Sequence, residues 1–153
     1  MNNAQSYDLL PILIKRLSNI INKTNCKIIL SSDWRLKPDY KDELFLELKT
    51  KGNINMISDN IYIGDTPVIN GGYIRALEIK QALKTIKKNE YSLYEIKAWC
   101  AVDDLYLIRE MLGDYQYFMQ GHFVKTDSKK GLSEENMNEI IHILNGNYLS
   151  LYH

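Results

Sequence analysis

The chain has 153 residues, of which 45% are apolar and 25% charged, and its 19 Lys plus Arg balance its 19 Asp plus Glu. This length and mix fit one globular domain, residues 1–153, with enough apolar residues for a core, and exclude a disordered or repetitive chain. Zero net charge argues against strong non-specific nucleic-acid binding and leaves room only for a local basic patch.

Two cysteines, Cys26 and Cys100, lie beside or within expected strands, which favours buried thiols over a disulfide or a metal site. No apolar run approaches a membrane span, and Met1-Asn2-Asn3-Ala4-Gln5-Ser6 lacks a basic-then-apolar leader pattern. The expected location is the cytoplasm, with no membrane contact.

Residues 1–8 are polar and form a loose lead-in. Over residues 9–22, Leu9, Leu10, Ile12, Leu13, Ile14, Leu17, Ile20 and Ile21 recur at helical spacing, with Asp8 as N-cap and Pro11 in the first turn. Thr24-Asn25 ends that helix. Residues 27–31 are short, apolar and mostly β-branched, as in a buried strand of a parallel sheet. Pro38 or Asp39 opens a second helix to about Lys49, with Gly52 as its C-cap. Residues 54–63 predict one or two short strands around Ser58-Asp59-Asn60. After a Gly- and Pro-rich loop, a third helix covers about 73–88. A strand follows at 96–102, ending in Asp103-Asp104, then a short helix at 105–112. His122-Phe123-Val124-Lys125 forms a last strand. Ser133 caps a helix over 134–144 with Asn136 at its third position, and 148–152 is a tail. Alternating strands and helices with short connections predict an α/β fold, a Rossmann-like parallel sheet with helices on both faces.

Ligands of open α/β sheets gather just past the C-terminal strand ends, so polar residues there are the candidates. Ser31 and Ser32 can donate to phosphate oxygens or simply cap the next turn. Arg35 can make a bidentate phosphate contact or pair with Asp39 or Asp42. Arg75 opens a helix and can place a cation in the same cleft or form an exposed pair with Glu78. Asp103 and Asp104 offer adjacent carboxylates of the kind Mg²⁺ takes, or make a solvated turn with Asp104 as a helix N-cap. His122, His142 and His153 have no metal-ligand spacing and are expected to be bystanders.

The order of these signals is more specific than any one of them. Ile28-Ile29-Leu30-Ser31-Ser32-Asp33-Trp34-Arg35, then Arg75-Ala76-Leu77-Glu78-Ile79, then Ala101-Val102-Asp103-Asp104, resembles a haloacid-dehalogenase-like (HAD) phosphatase domain. The likeness is above all to the branch found in Swiss Army Knife RNA-repair proteins. Phe123-Val124-Lys125-Thr126-Asp127 and Gly131-Leu132-Ser133 fit it too, so it spans roughly residues 10–145. The resemblance implies catalytic roles for Ser31, which binds the transferring phosphoryl group, and for Arg75, which steadies its charge. It implies substrate contacts from Ser32 and Arg35, and Mg²⁺ held by Asp103 and Asp104. Such roles suit phosphoryl transfer, which is mostly positioning and charge stabilisation.

One motif of the family has no counterpart. Its first strand ends in Asp-x-Asp, supplies the nucleophile and general acid, and lies mid-sheet between the strands at 27–31 and 97–103. This chain contains no Asp-x-Asp, and Asp8 is the one acid before residue 30. The expectation is a HAD-like, Mg²⁺-dependent phosphohydrolase-type domain lacking its central first strand, incomplete or inactive as this chain. The alternative is a non-catalytic α/β module binding a phosphorylated ligand or a protein. Expected partners are a phosphorylated small molecule or nucleic-acid end, and a strand from a second copy or partner that completes the sheet.

Overall fold

A computed structural model describes residues 11–31, 36–69, 75–88, 96–104 and 118–147. The first helix, α1, is Pro11–Thr24 and buries Ile14, Ser18, Ile20 and Ile21. Thr24 closes it by donating its hydroxyl to Ile20 O, and Asn25 then turns the chain in a left-handed conformation. Strand β1 (Ile28–Leu30) pairs in parallel with β2 (Tyr62–Asp65), joining Ile28 to Tyr62 and Leu30 to Asp65. Helix α2 (Pro38–Gly52) lies between them in sequence.

Two sequence expectations are corrected in this half. Asn53, at φ 55°, makes the left-handed exit from α2 in place of Gly52. Gly52 stays helical because it lies against α1, where an added Cβ would collide with Ser18 Oγ. Residues 54–57 are not a strand. Asn55 Oδ1 accepts from the N–H groups of Ile57 and Ser58, and Asp59 N donates to Asn55 O. These local turns consume the backbone groups a ladder would need. Ile54 and Met56 are nevertheless core residues.

In the other half, α3 (Arg75–Lys88) precedes β3 (Ala101–Asp103), which pairs in parallel with β4 (Phe123–Lys125). The strand expected over 96–102 is short because its partner is short. A helical turn at 118–121 precedes β4, so the ladder begins only where Ala101 N donates to His122 O. Helix α4 (Glu134–His142) starts with a capping box: Ser133 Oγ accepts from Asn136 N, and Asn136 Oδ1 accepts from Ser133 N. A wide helical turn, Ile143–Asn147, ends it. The expected N-cap Asp8, helix 105–112 and tail 148–152 lie outside the described residues.

The fold is α/β with parallel pairing, as expected, and among the described residues its four strands form two pairs, β1–β2 and β3–β4. Helix α1 serves both. Its Ile14 and Ile21 pack with Leu44, Leu48, Ile54 and Met56 beside β1–β2, and its Ile20 packs with Val124, Met137 and Ile140 beside β3–β4. Helix α3 covers the opposite face of β3–β4, where Ala76 and Ile79 meet Ala101 and Met119. The β3–β4 pair thus has helices on both faces, and among the described residues no helix covers its C-terminal end.

Candidate active site

Helix α3 and β3 share one buried cluster, in which Ala76 and Ile79 lie with Ala101 and Met119. The packing sets the first residue of α3 beside the last residue of β3. Arg75 Nη1 donates to Asp103 Oδ1 at 2.9 Å and to Oδ2 at 2.7 Å. The Asp103 side chain is 5% exposed and that of Arg75 is 22% exposed. A carboxylate so far from water requires a charged, hydrogen-bonded partner, and the guanidinium supplies it. Glu78, one turn along, is buried and accepts from Ile69 N at 2.9 Å, so an exposed surface pair with Arg75 is not its role.

The pair forms the wall of an open cleft of about 280 Å³ that also exposes Val102, Asp104, Thr126, Asp127, Ser128 and Gly131. Thr126 N donates to Asp103 O, which continues the β3–β4 ladder into the cleft rim. Beyond it the chain folds over Asp127, whose Oδ1 accepts from the backbone N–H groups of Lys129 and Lys130, both at 2.7 Å. Those amides, Lys130 first and then Lys129, hold the Asp127 carboxyl below the usual carboxylate range. Gly131, at φ +70°, closes the turn by donating its N–H to Asp127 O.

Of the residues expected from sequence, Arg75 and Asp103 meet directly, and Asp104 lies exposed on the same rim. Ser31 directly follows β1 and is half-buried; it is not among the described residues lining this cleft. Ser32 and Arg35 lie outside the described residues. Sequence reasoning gave no role to Thr126, Asp127 and Ser128. The signal was available, a hydroxyl-acid-hydroxyl run just past a strand, the pattern that singled out Ser31 and Ser32.

The donor set does not fit a Mg²⁺ ion as arranged. Both oxygens of Asp103 accept from Arg75, and no three His, Cys, Asp or Glu among the described residues cluster so as to hold a metal ion. The arrangement offers instead a cation fixed by a buried carboxylate, beside a rim that carries Thr126 and Ser128 together with Asp104 and Asp127.

The mixed α/β frame with short parallel strands, Arg75 at a helix start and Asp103 at a strand end agrees with a HAD-like α/β fold. The family model for the HAD domain in Swiss Army Knife RNA repair proteins matches residues 2–137, and the chain belongs to that family. No curated protein and no solved structure matches the chain significantly. Among the described residues no helix is long and apolar enough to cross a membrane.

Proposed function

We propose that the cleft at Arg75 and Asp103 binds a phosphate monoester, and that this chain by itself turns it over little or not at all. The observation that carries the reading is the guanidinium held by both oxygens of a buried carboxylate at a strand end. Asp103 orients Arg75, and Arg75 offers a fixed positive charge to the oxygens of a phosphoryl group. Ser31 and Ser32 remain the proposed donors from the β1 side, with Arg35 as a further phosphate contact. A phosphorylated small molecule and a nucleic-acid end both carry the required group. Mg²⁺ use comes from the family, and with Asp103 engaged by Arg75 no step is assigned to the ion.

Low turnover follows from the missing nucleophile. Covalent phosphoryl transfer needs an activated group in line with the leaving oxygen. The sequence has no Asp-x-Asp, and Asp103 faces a guanidinium instead of solvent. The family's first strand belongs between β1 and β3, which stand in separate pairs among the described residues. A strand supplied by a second copy would join the pairs, and one from a partner that carries the Asp-x-Asp motif would also bring the nucleophile. A cytoplasmic location suits this reading.

Two measurements test it. Inorganic phosphate should raise the melting temperature of the wild-type chain and not that of Arg75→Ala, because only binding to the folded state stabilises it. Hydrolysis of an aryl phosphate with added Mg²⁺ should stay near background. No phosphate effect on the wild type sinks the binding site. Robust turnover lost in Asp103→Asn sinks the inactive reading.

A further inference from the structure

After β2 the described chain runs on from Thr66 to Ile69, and a hydrogen bond holds each end of this segment. At the near end Thr66 N donates to Leu30 O at 2.9 Å, so the segment starts beside Ser31 at the C-terminal edge of β1–β2. At the far end Ile69 N donates to Glu78 Oε2 at 2.9 Å. Glu78 follows Arg75 by one turn of α3, about 4.5 Å along the helix axis. The segment is thus a strap of at most about 11 Å between the two sets of groups proposed for the phosphate, Ser31 on one side and Arg75 on the other.

Little else anchors the strap. Among the described residues it makes no further hydrogen bond. Pro67 and Val68 are exposed, Val68 at 53%, so burial does not hold its middle. Thr66 is buried, but its hydroxyl has no hydrogen-bond partner, which costs stability instead of adding to it. The far end therefore depends on Glu78. That residue is 5% exposed, and a bond from a backbone amide to a buried carboxylate is charge-assisted and strong. A glutamate kept only for solubility would face water.

We infer that Glu78 is a positioning residue of the phosphate site: by holding the Ile69 amide it fixes the strap, and with it the separation of Ser31 from Arg75. The inference rests on the proposed phosphate site and adds to it a group that acts through the strap. Donors that already stand at the right separation bind more tightly than donors that must first be ordered. The charge of Glu78 works in the opposite direction. A negative charge one turn from Arg75 repels an anion, so on electrostatics alone its removal would tighten phosphate binding. Position and charge thus predict opposite signs for the same substitution.

The test is calorimetric binding of inorganic phosphate, at a temperature where circular dichroism shows each variant folded. Glu78→Ala should raise the phosphate dissociation constant at least about tenfold, the scale of one charge-assisted hydrogen bond. Glu78→Gln keeps a carbonyl oxygen for the Ile69 amide and should stay within about threefold of the wild type. Ile69→Pro removes the donor from the other end of the bond and should weaken binding as Glu78→Ala does, which keeps the inference testable if Glu78→Ala does not fold. Leu48→Ala, in the core between α1 and α2, destabilises the chain away from the strap and should leave the dissociation constant unchanged. Hydrogen exchange at the Ile69 amide should quicken in Glu78→Ala and not in Glu78→Gln. With a wild type that binds phosphate, the inference alone is overturned if Glu78→Ala or Ile69→Pro binds as well or better, if Glu78→Gln is as weak as Glu78→Ala, or if Leu48→Ala weakens binding as much. Failure of the wild type to bind phosphate overturns the phosphate site and this inference with it.

Discussion

Replacing Arg75 by Ala takes the guanidinium from a carboxylate that is 5% exposed. Removing one partner of a fully buried ion pair costs about 3–5 kcal/mol. Arg75 is itself 22% exposed, so water screens the pair and reaches the vacated space. The expected loss is therefore about 2–3 kcal/mol, a fall in melting temperature of about 4–12 °C for a domain of this size. The double variant Arg75→Met with Asp103→Leu removes both charges and keeps apolar volume, and should lie within about 1 kcal/mol of the wild type. Urea unfolding of the wild type, Arg75→Met, Asp103→Leu and the double variant forms a cycle that isolates the coupling. If Arg75→Ala costs less than about 1 kcal/mol, or if the two substitutions add, the buried pair does not hold α3 to β3 and the reasoning fails.

Leu48 is 0% exposed in the cluster between α1 and α2, so Leu48→Ala should cost about 2–5 kcal/mol in urea unfolding; a cost near zero would mean that the core is loosely packed. Gly52→Ala should destabilise by about 1–3 kcal/mol because its methyl meets Ser18 Oγ, and combining it with Ser18→Ala should recover part of the loss. Burial pushes the Cys100 thiol up to about 12 and raises that of Cys26, so both stay protonated at neutral pH and should react with a thiol reagent only on unfolding; fast labelling of the folded chain would contradict this. The Asp127 carboxyl is held below its ordinary 3.8 by two backbone amides, so its contribution is present above the unfolded value and is lost as pH falls through the lower folded one. Its carboxyl resonance should titrate with a midpoint below 3.8, and a midpoint at or above that value would mean that the turn over Asp127 is not held.

Much of the local structure was legible in the sequence because its causes are local. A helix is closed by bonds four residues apart and started by a cap three residues away. The Ser133–Asn136 box and the starts of α2 and α4 could therefore be read from neighbouring residues. Arg75 and Asp103 could be named as candidates for a similar reason, since each stands at the end of an element with a clear pattern. What each would face could not be read. The pair spans 28 residues, and its members meet where α3 and β3 share a buried cluster, while Glu78 takes the Ile69 amide instead. The ladders were overestimated because strand length is decided jointly with a distant partner: β3 begins only where β4 begins, and residues 54–57 spend their backbone groups on turns. The stack of Trp99, Phe118 and His122 had no sequence signature at all, since its rings come from two segments and meet only when β3 pairs with β4. Sequence determined which residues form elements and which carry charge; tertiary packing decided which of them touch, because contact depends on backbone distances that no local pattern encodes.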